Sequence, residues 1–122
     1  MELPELHIAE ELHGCCPDFR IGWLMFTVVP LSGSEAVDNA LGHSFSALRA
    51  KLESVPLAEM PNIGESRRSY KACGKDPGRG RVSSEALYRR VRQGKELYRI
   101  NTVVDVNNLI SLETGFSLGS YD

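Results

Sequence analysis

The chain has 122 residues, 42% hydrophobic and 25% charged, with a formal net charge of −2. Such a chain makes one soluble globular domain, large enough to bury a core without metal or disulfide staples. A membrane-spanning helix is excluded, because the longest apolar run, Trp23 to Val29, falls far short of the ~20 residues a span requires.

In chain order, residues 4–10 alternate weakly and read as a short edge strand with Leu6 and Ile8 on one face. Phe19 to Val29 is the clearest strand, rich in aromatic and β-branched residues and stopped by Pro30. A helix follows, capped by Ser34 and bounded by Pro56. Its Val37, Leu41, Phe45, Leu48 and Leu52 recur at helical spacing as a stripe to be buried. The segment after Pro61 reads as a second helix through about Cys73, closed by Gly74 and the turn Lys75-Asp76-Pro77-Gly78. Gly78-Arg79-Gly80-Arg81 is a basic loop. It lacks the third glycine and the preceding strand of a dinucleotide-binding motif. A third helix begins at Ser83 or Ser84 and ends at Gly94. Asn101 to Thr114 is ambiguous: its valines favour a strand, whereas Asn101 as cap and Gly115 as terminator fit a helix.

Charge is strongly segregated. From Arg67 to Arg99 there are eleven basic residues against three acidic ones, a local +8, while the rest of the chain carries −10. A cluster of this kind attracts phosphate backbones, and its bland alternative is the solvated faces of two helices. Cys15 and Cys16 are adjacent and Cys73 stands apart, so no even-numbered disulfide framework is evident. Free thiols are expected. His13-Gly14-Cys15-Cys16 is only a faint version of a metal motif, and neither metal nor cofactor is expected. The acidic N-terminus is unlike a secretory signal, which makes the cytoplasm the expected location.

The last third carries a resemblance. Ser83-Ser84-Glu85-Ala86-Leu87-Tyr88-Arg89-Arg90-Val91 leads through Gly94 into Ile100-Asn101-Thr102-Val103-Val104-Asp105-Val106-Asn107-Asn108. Leu112-Glu113-Thr114-Gly115 and Gly119-Ser120-Tyr121-Asp122 follow. This series resembles the central editing and tRNA-binding domain of the phenylalanyl-tRNA synthetase β subunit, closely over residues 83–122. Tyr70 to Pro77 looks more like freestanding bacterial and archaeal relatives of that domain, and residues 1–60 fit only in outline.

The resemblance implies an α+β fold, a small sheet with three to four helices, with residues 1–122 forming a single domain. Because the family domain continues past the closing Tyr-Asp, the chain is expected to be its N-terminal half. Either self-association or pairing with a missing C-terminal half is then expected. The implied function is a tRNA-binding or other RNA-binding module; whether it is an enzyme is left open, and if it is, it acts on misacylated tRNA in trans as an aminoacyl-tRNA deacylase-like hydrolase. The alternative is a binding or interaction domain that has lost the editing chemistry. Asn108 matches the family's pocket asparagine, whereas Gly119 stands where the synthetase pocket has a histidine. Arg79, Arg81, Arg89, Arg90 and Arg99 are the candidate phosphate contacts, with Arg89, Arg90 and Arg99 also able to pair with Glu85 and Glu96 on helix faces. Asp105 between valines reads as structural, and no catalytic residue is assigned.

Overall fold

The computed structural model describes residues 2–121, and among them every regular element is helical. In order these are α1 (Glu10–Cys15), α2 (Glu35–Leu52), a 3₁₀ turn (Leu57–Glu59), α3 (Ile63–Ala72), α4 (Ser83–Arg92) and α5 (Thr102–Thr114). The expected α+β fold with a small sheet is therefore overturned.

The two segments read as strands show why. Phe19–Val29 has the right composition, yet residues 20–30 make no backbone hydrogen bond among the described residues. A strand draws its hydrogen bonds from a neighbouring strand, so β-propensity without a partner leaves extended chain. Only the ends of this segment are tied down. Phe19 N–H donates to the Cys16 carbonyl at 3.0 Å, and Leu31 exchanges two bonds with Thr102, one to its N–H and one to its hydroxyl, both 3.0 Å. Between them Leu24 and Val29 are more than three-quarters exposed. Residues 4–9 are likewise irregular, with Leu6 and Ile8 in solvent.

The helices obey local signals. Val37 N–H donates to the Ser34 hydroxyl at 3.4 Å, Glu35 and Asp38 fill the first turn of α2, and Arg49 and Lys51 the last. That distribution complements the helix dipole. Of the expected stripe, Leu41, Leu48 and Leu52 are buried, and Val37 and Phe45 pack partly buried beside them. Tyr88 and Val91 of α4 and Leu112 of α5 close the same core, with Leu57, Met60 and Ile63 beneath.

The ambiguous Asn101–Thr114 segment is a helix because both of its ends are chemically satisfied. Asn101 Oδ1 accepts from Val104 N–H at 3.0 Å, and Gly115 terminates α5 in the left-handed region at φ 78°. Asn62 sits there too, at φ 67°, and its Nδ2 donates to the Thr114 carbonyl at 2.6 Å. The start of α3 and the end of α5 are thus locked together.

The cysteines depart from expectation. Cys15 and Cys73 form a disulfide across 58 residues, and only Cys16 is free. The number of cysteines said nothing about which would meet. The turn out of α1 and the end of α3 bring these two together, and the bridge ties the N-terminal segment to the helical core.

Candidate functional site

Most of the basic cluster is engaged inside the protein. Glu85 is 1% exposed on α4, and its Oε1 accepts from Arg67 Nη1 of α3 at 2.5 Å and from Arg89 Nη2 at 3.1 Å. Arg90 donates to the Glu96 carbonyl at 2.6 Å and lies over the Tyr98 ring, 4.8 Å from its centroid. Arg99 pairs with Asp38 of α2 at 2.8 Å and donates to the Leu97 carbonyl at 3.1 Å. Arg68 pairs with Glu65 one turn before it. Arg89, Arg90 and Arg99 thus bind the protein to itself, a use that the Glu85–Arg89 spacing hinted at and the Arg67 and Asp38 contacts did not.

Arg79 and Arg81 are placed differently. Both lie in the loop between α3 and α4, both are exposed, and neither makes an ion pair among the described residues. Lys71 and Lys75 flank the loop in the same state and were not singled out from sequence. The loop has a defined shape. Asp76 Oδ1 accepts from Gly78 N–H at 2.8 Å, and its carbonyl accepts from Arg79 and Gly80 N–H at 3.1 and 3.0 Å. Gly80 rests on Tyr70, whose ring would lie 3.4 Å from any Cβ built there. Lys75, Arg79 and Arg81 therefore sit on an ordered turn with one acid, Asp76, and Lys71 lies in the last turn of α3 just before it. Arg92 and Lys95 are also exposed, but at the far end of α4, roughly 15 Å along a ten-residue helix.

The motif around Asp105 builds α5. Asp105 is 1% exposed, and its Oδ1 accepts from Ile100 N–H at 3.0 Å just ahead of the Asn101 cap. Together with Gly115 these residues start and stop the helix. Asn108 lies half-buried on α5, and the neighbouring Asn107 ties the tail down by donating to the Ser120 hydroxyl. Gly119 is exposed in that tail, with the Tyr121 ring 3.0 Å from where a Cβ would be. Ser84 is fully buried and meets Ser117 twice: its N–H donates to the Ser117 hydroxyl at 3.1 Å, and the two hydroxyls lie 2.9 Å apart.

A cleft of about 250 Å³ opens between α2 and α5, lined by Ser44, Leu48, Lys51, Tyr88 and Glu113 among others. Neither Asn108 nor Gly119 borders it, and the candidate arginines do not either. Burial pushes the Tyr88 phenol above its ordinary pKa, which keeps it protonated and donating to the Leu112 carbonyl at 3.0 Å.

Residues 65–122 match the family model of the B3/4 domain. This is a domain of the phenylalanyl-tRNA synthetase β-subunit family, and the match runs from the first turn of α3 to the C-terminus, a little under half of the chain. The B3/4-like stretch includes the cation-bearing loop, the Glu85 ion cluster and the whole capped α5. No curated protein and no solved structure matches the chain. No helix among the described residues is long and apolar enough to cross a membrane.

Proposed function

We propose that this chain is an RNA-binding module related to the tRNA-binding and editing domain of the phenylalanyl-tRNA synthetase β subunit, with tRNA as its ligand class. The supporting observation is the ordered α3–α4 loop, where Lys75, Arg79 and Arg81 are exposed and unpaired within a B3/4-like stretch, with exposed Lys71 in the last turn of α3 just before it. Cations free of intramolecular partners are the ones able to exchange counterions for phosphates. Arg89, Arg90 and Arg99 are instead engaged within the protein, with Glu85, the Glu96 carbonyl and Asp38. Recognition without hydrolysis is the better supported chemistry, since Gly119 offers no side chain and an amide such as that of Asn108 is not a nucleophile.

Arg79→Ala with Arg81→Ala is expected to weaken tRNA binding about 10-fold at low salt. The dependence of log K on log salt should flatten by roughly 1.4 to 1.8, since each lost phosphate contact removes about 0.7 to 0.9. Filter binding or fluorescence anisotropy over a salt series reads both. No affinity for tRNA at low salt, or an unchanged slope in the double variant, overturns the reading.

The partner expected for Phe19–Leu31 is a second copy of the chain. Unpaired backbone N–H and C=O groups alternate there with exposed Trp23, Met25 and Val28, which makes the segment a template for strand addition. Light scattering over a dilution series is expected to show a mass that rises with concentration, and Val28→Lys should suppress the rise. A constant 13.5 kDa species would show that the segment does not mediate association.

A further inference from the structure

The cysteines pose a problem that the disulfide solves only in part. The sulfurs of Cys15, Cys16 and Cys73 all lie within 4.8 Å of one another, and three thiols cannot all be paired in one bridge. With Cys15 joined to Cys73, the Cys16 sulfur is left 3.6 Å from that of Cys73, offering its weak S–H to the Ser69 carbonyl at 3.7 Å. We propose that, under reducing conditions, Cys15, Cys16 and Cys73 form a three-thiolate site for one soft d¹⁰ ion, Zn²⁺ or Cu(I).

Geometry and softness favour this use. Three thiolates around one ion at about 2.3 Å stand about 4 Å apart; Cys16 already stands 3.6 Å from Cys73, and reduction of the bridge frees Cys15 to move out from bonding distance. Thiolate ligands select zinc and monovalent copper over hard cations. Cys15 is the last residue of α1, while Cys16 and Cys73 are the C-caps of α1 and α3. A shallow recess beside Cys16, lined by Asp18, Phe19 and Arg68 among others, gives access for the ion from solvent. A metal here would staple the start of the exposed Phe19–Leu31 segment to α3, as the disulfide does, but using all three sulfurs.

The test uses the full chain, fully reduced and then freed of reductant under anaerobic conditions. Zn²⁺ titrated against a chromophoric chelator is expected to bind with a stoichiometry of one per chain, and Co²⁺ in its place to give a sulfur-to-metal charge-transfer band. Cys16→Ser decides the matter, because Cys16 takes no part in the disulfide and its replacement leaves that link available for folding. Outer-shell partners of a metal are worth 10- to 100-fold in affinity, so loss of a direct ligand is expected to weaken binding by about 100-fold or more. Cys15→Ser and Cys73→Ser should do the same in chains whose circular dichroism matches the parent. Substoichiometric binding, absence of the charge-transfer band, or a Cys16→Ser variant that binds as tightly as the parent overturns the proposal.

Discussion

Replacing Glu85 by Ala is expected to destabilise the folded chain by about 3 kcal/mol, among the largest effects of any single change. The carboxylate is buried on α4 and is shared by Arg67 of α3 and Arg89 of α4, whose side chains are 24% and 26% exposed. Removing it leaves two guanidiniums facing each other in a poorly solvated space with no counter-charge. Partial exposure of both arginines lets them relax toward water, which holds the cost below that of a fully dry site. Thermal denaturation should show a fall of roughly 10 °C, given about 3 to 5 °C per kcal/mol at this chain length. Apolar replacement of a whole pair is milder than breaking it, so Glu85→Leu with Arg67→Met should be less damaging than Glu85→Leu alone. A Glu85→Ala variant melting within about 2 °C of the parent would mean that the cluster is held together by packing rather than by charge.

Gly115→Ala is expected to cost about 2 to 4 kcal/mol, measured by urea denaturation. Two penalties add at this position. The φ of 78° costs a side chain about 1 kcal/mol by itself, and a Cβ there would lie 2.3 Å from the Pro61 carbonyl oxygen. That oxygen is backbone, and the Asn62 bond to the Thr114 carbonyl fixes the segment carrying it, so the clash is relieved only by separating α3 from α5. Gly94 and Gly74 provide the controls. Both have φ above 70°, but a Cβ at Gly94 meets the flexible Arg49 guanidinium and one at Gly74 meets nothing within 4 Å. Alanine at either should cost about 1 kcal/mol, the backbone term alone. Equal effects at all three positions would show that the approach to Pro61 is unimportant.

The candidate site was legible in sequence as a region rather than as a set of contacts. The excess of positive charge between Arg67 and Arg99 is plain, but the division of labour within it is not. Arg89 meets Glu85 four residues earlier on the same helix, a pairing that spacing allows, whereas Arg67 meets it across 18 residues and Arg99 meets Asp38 across 61. Which cations remain unpaired depends on those distant encounters. Arg79 and Arg81 stay free because they lie on a turn shaped by Asp76, while Arg90 is held by Glu96 and Tyr98. Asn108 and Gly119 drew notice through resemblance alone, since neither an amide on a helix nor a glycine in a tail announces a site.

Local signals place α2, α3 and α4 and, through its two caps, α5, whereas α1 has no side-chain cap and no buried residue and carries no such signal. Ser34 and Asn101 as caps, the α2 leucines at helical spacing, Pro56 after α2 and the glycines at 74, 94 and 115 act over one or two turns, and each is satisfied by atoms a few residues away. The tertiary structure decided the rest: the bond between Cys15 and Cys73, the burial of Glu85 between two arginines, and the fate of Phe19–Val29. These depend on partners far along the chain, where composition carries no address. The last case shows the reason most clearly. A helix satisfies its own backbone, but a strand borrows its hydrogen bonds from another, so a β-forming segment with no neighbour remains extended and exposed.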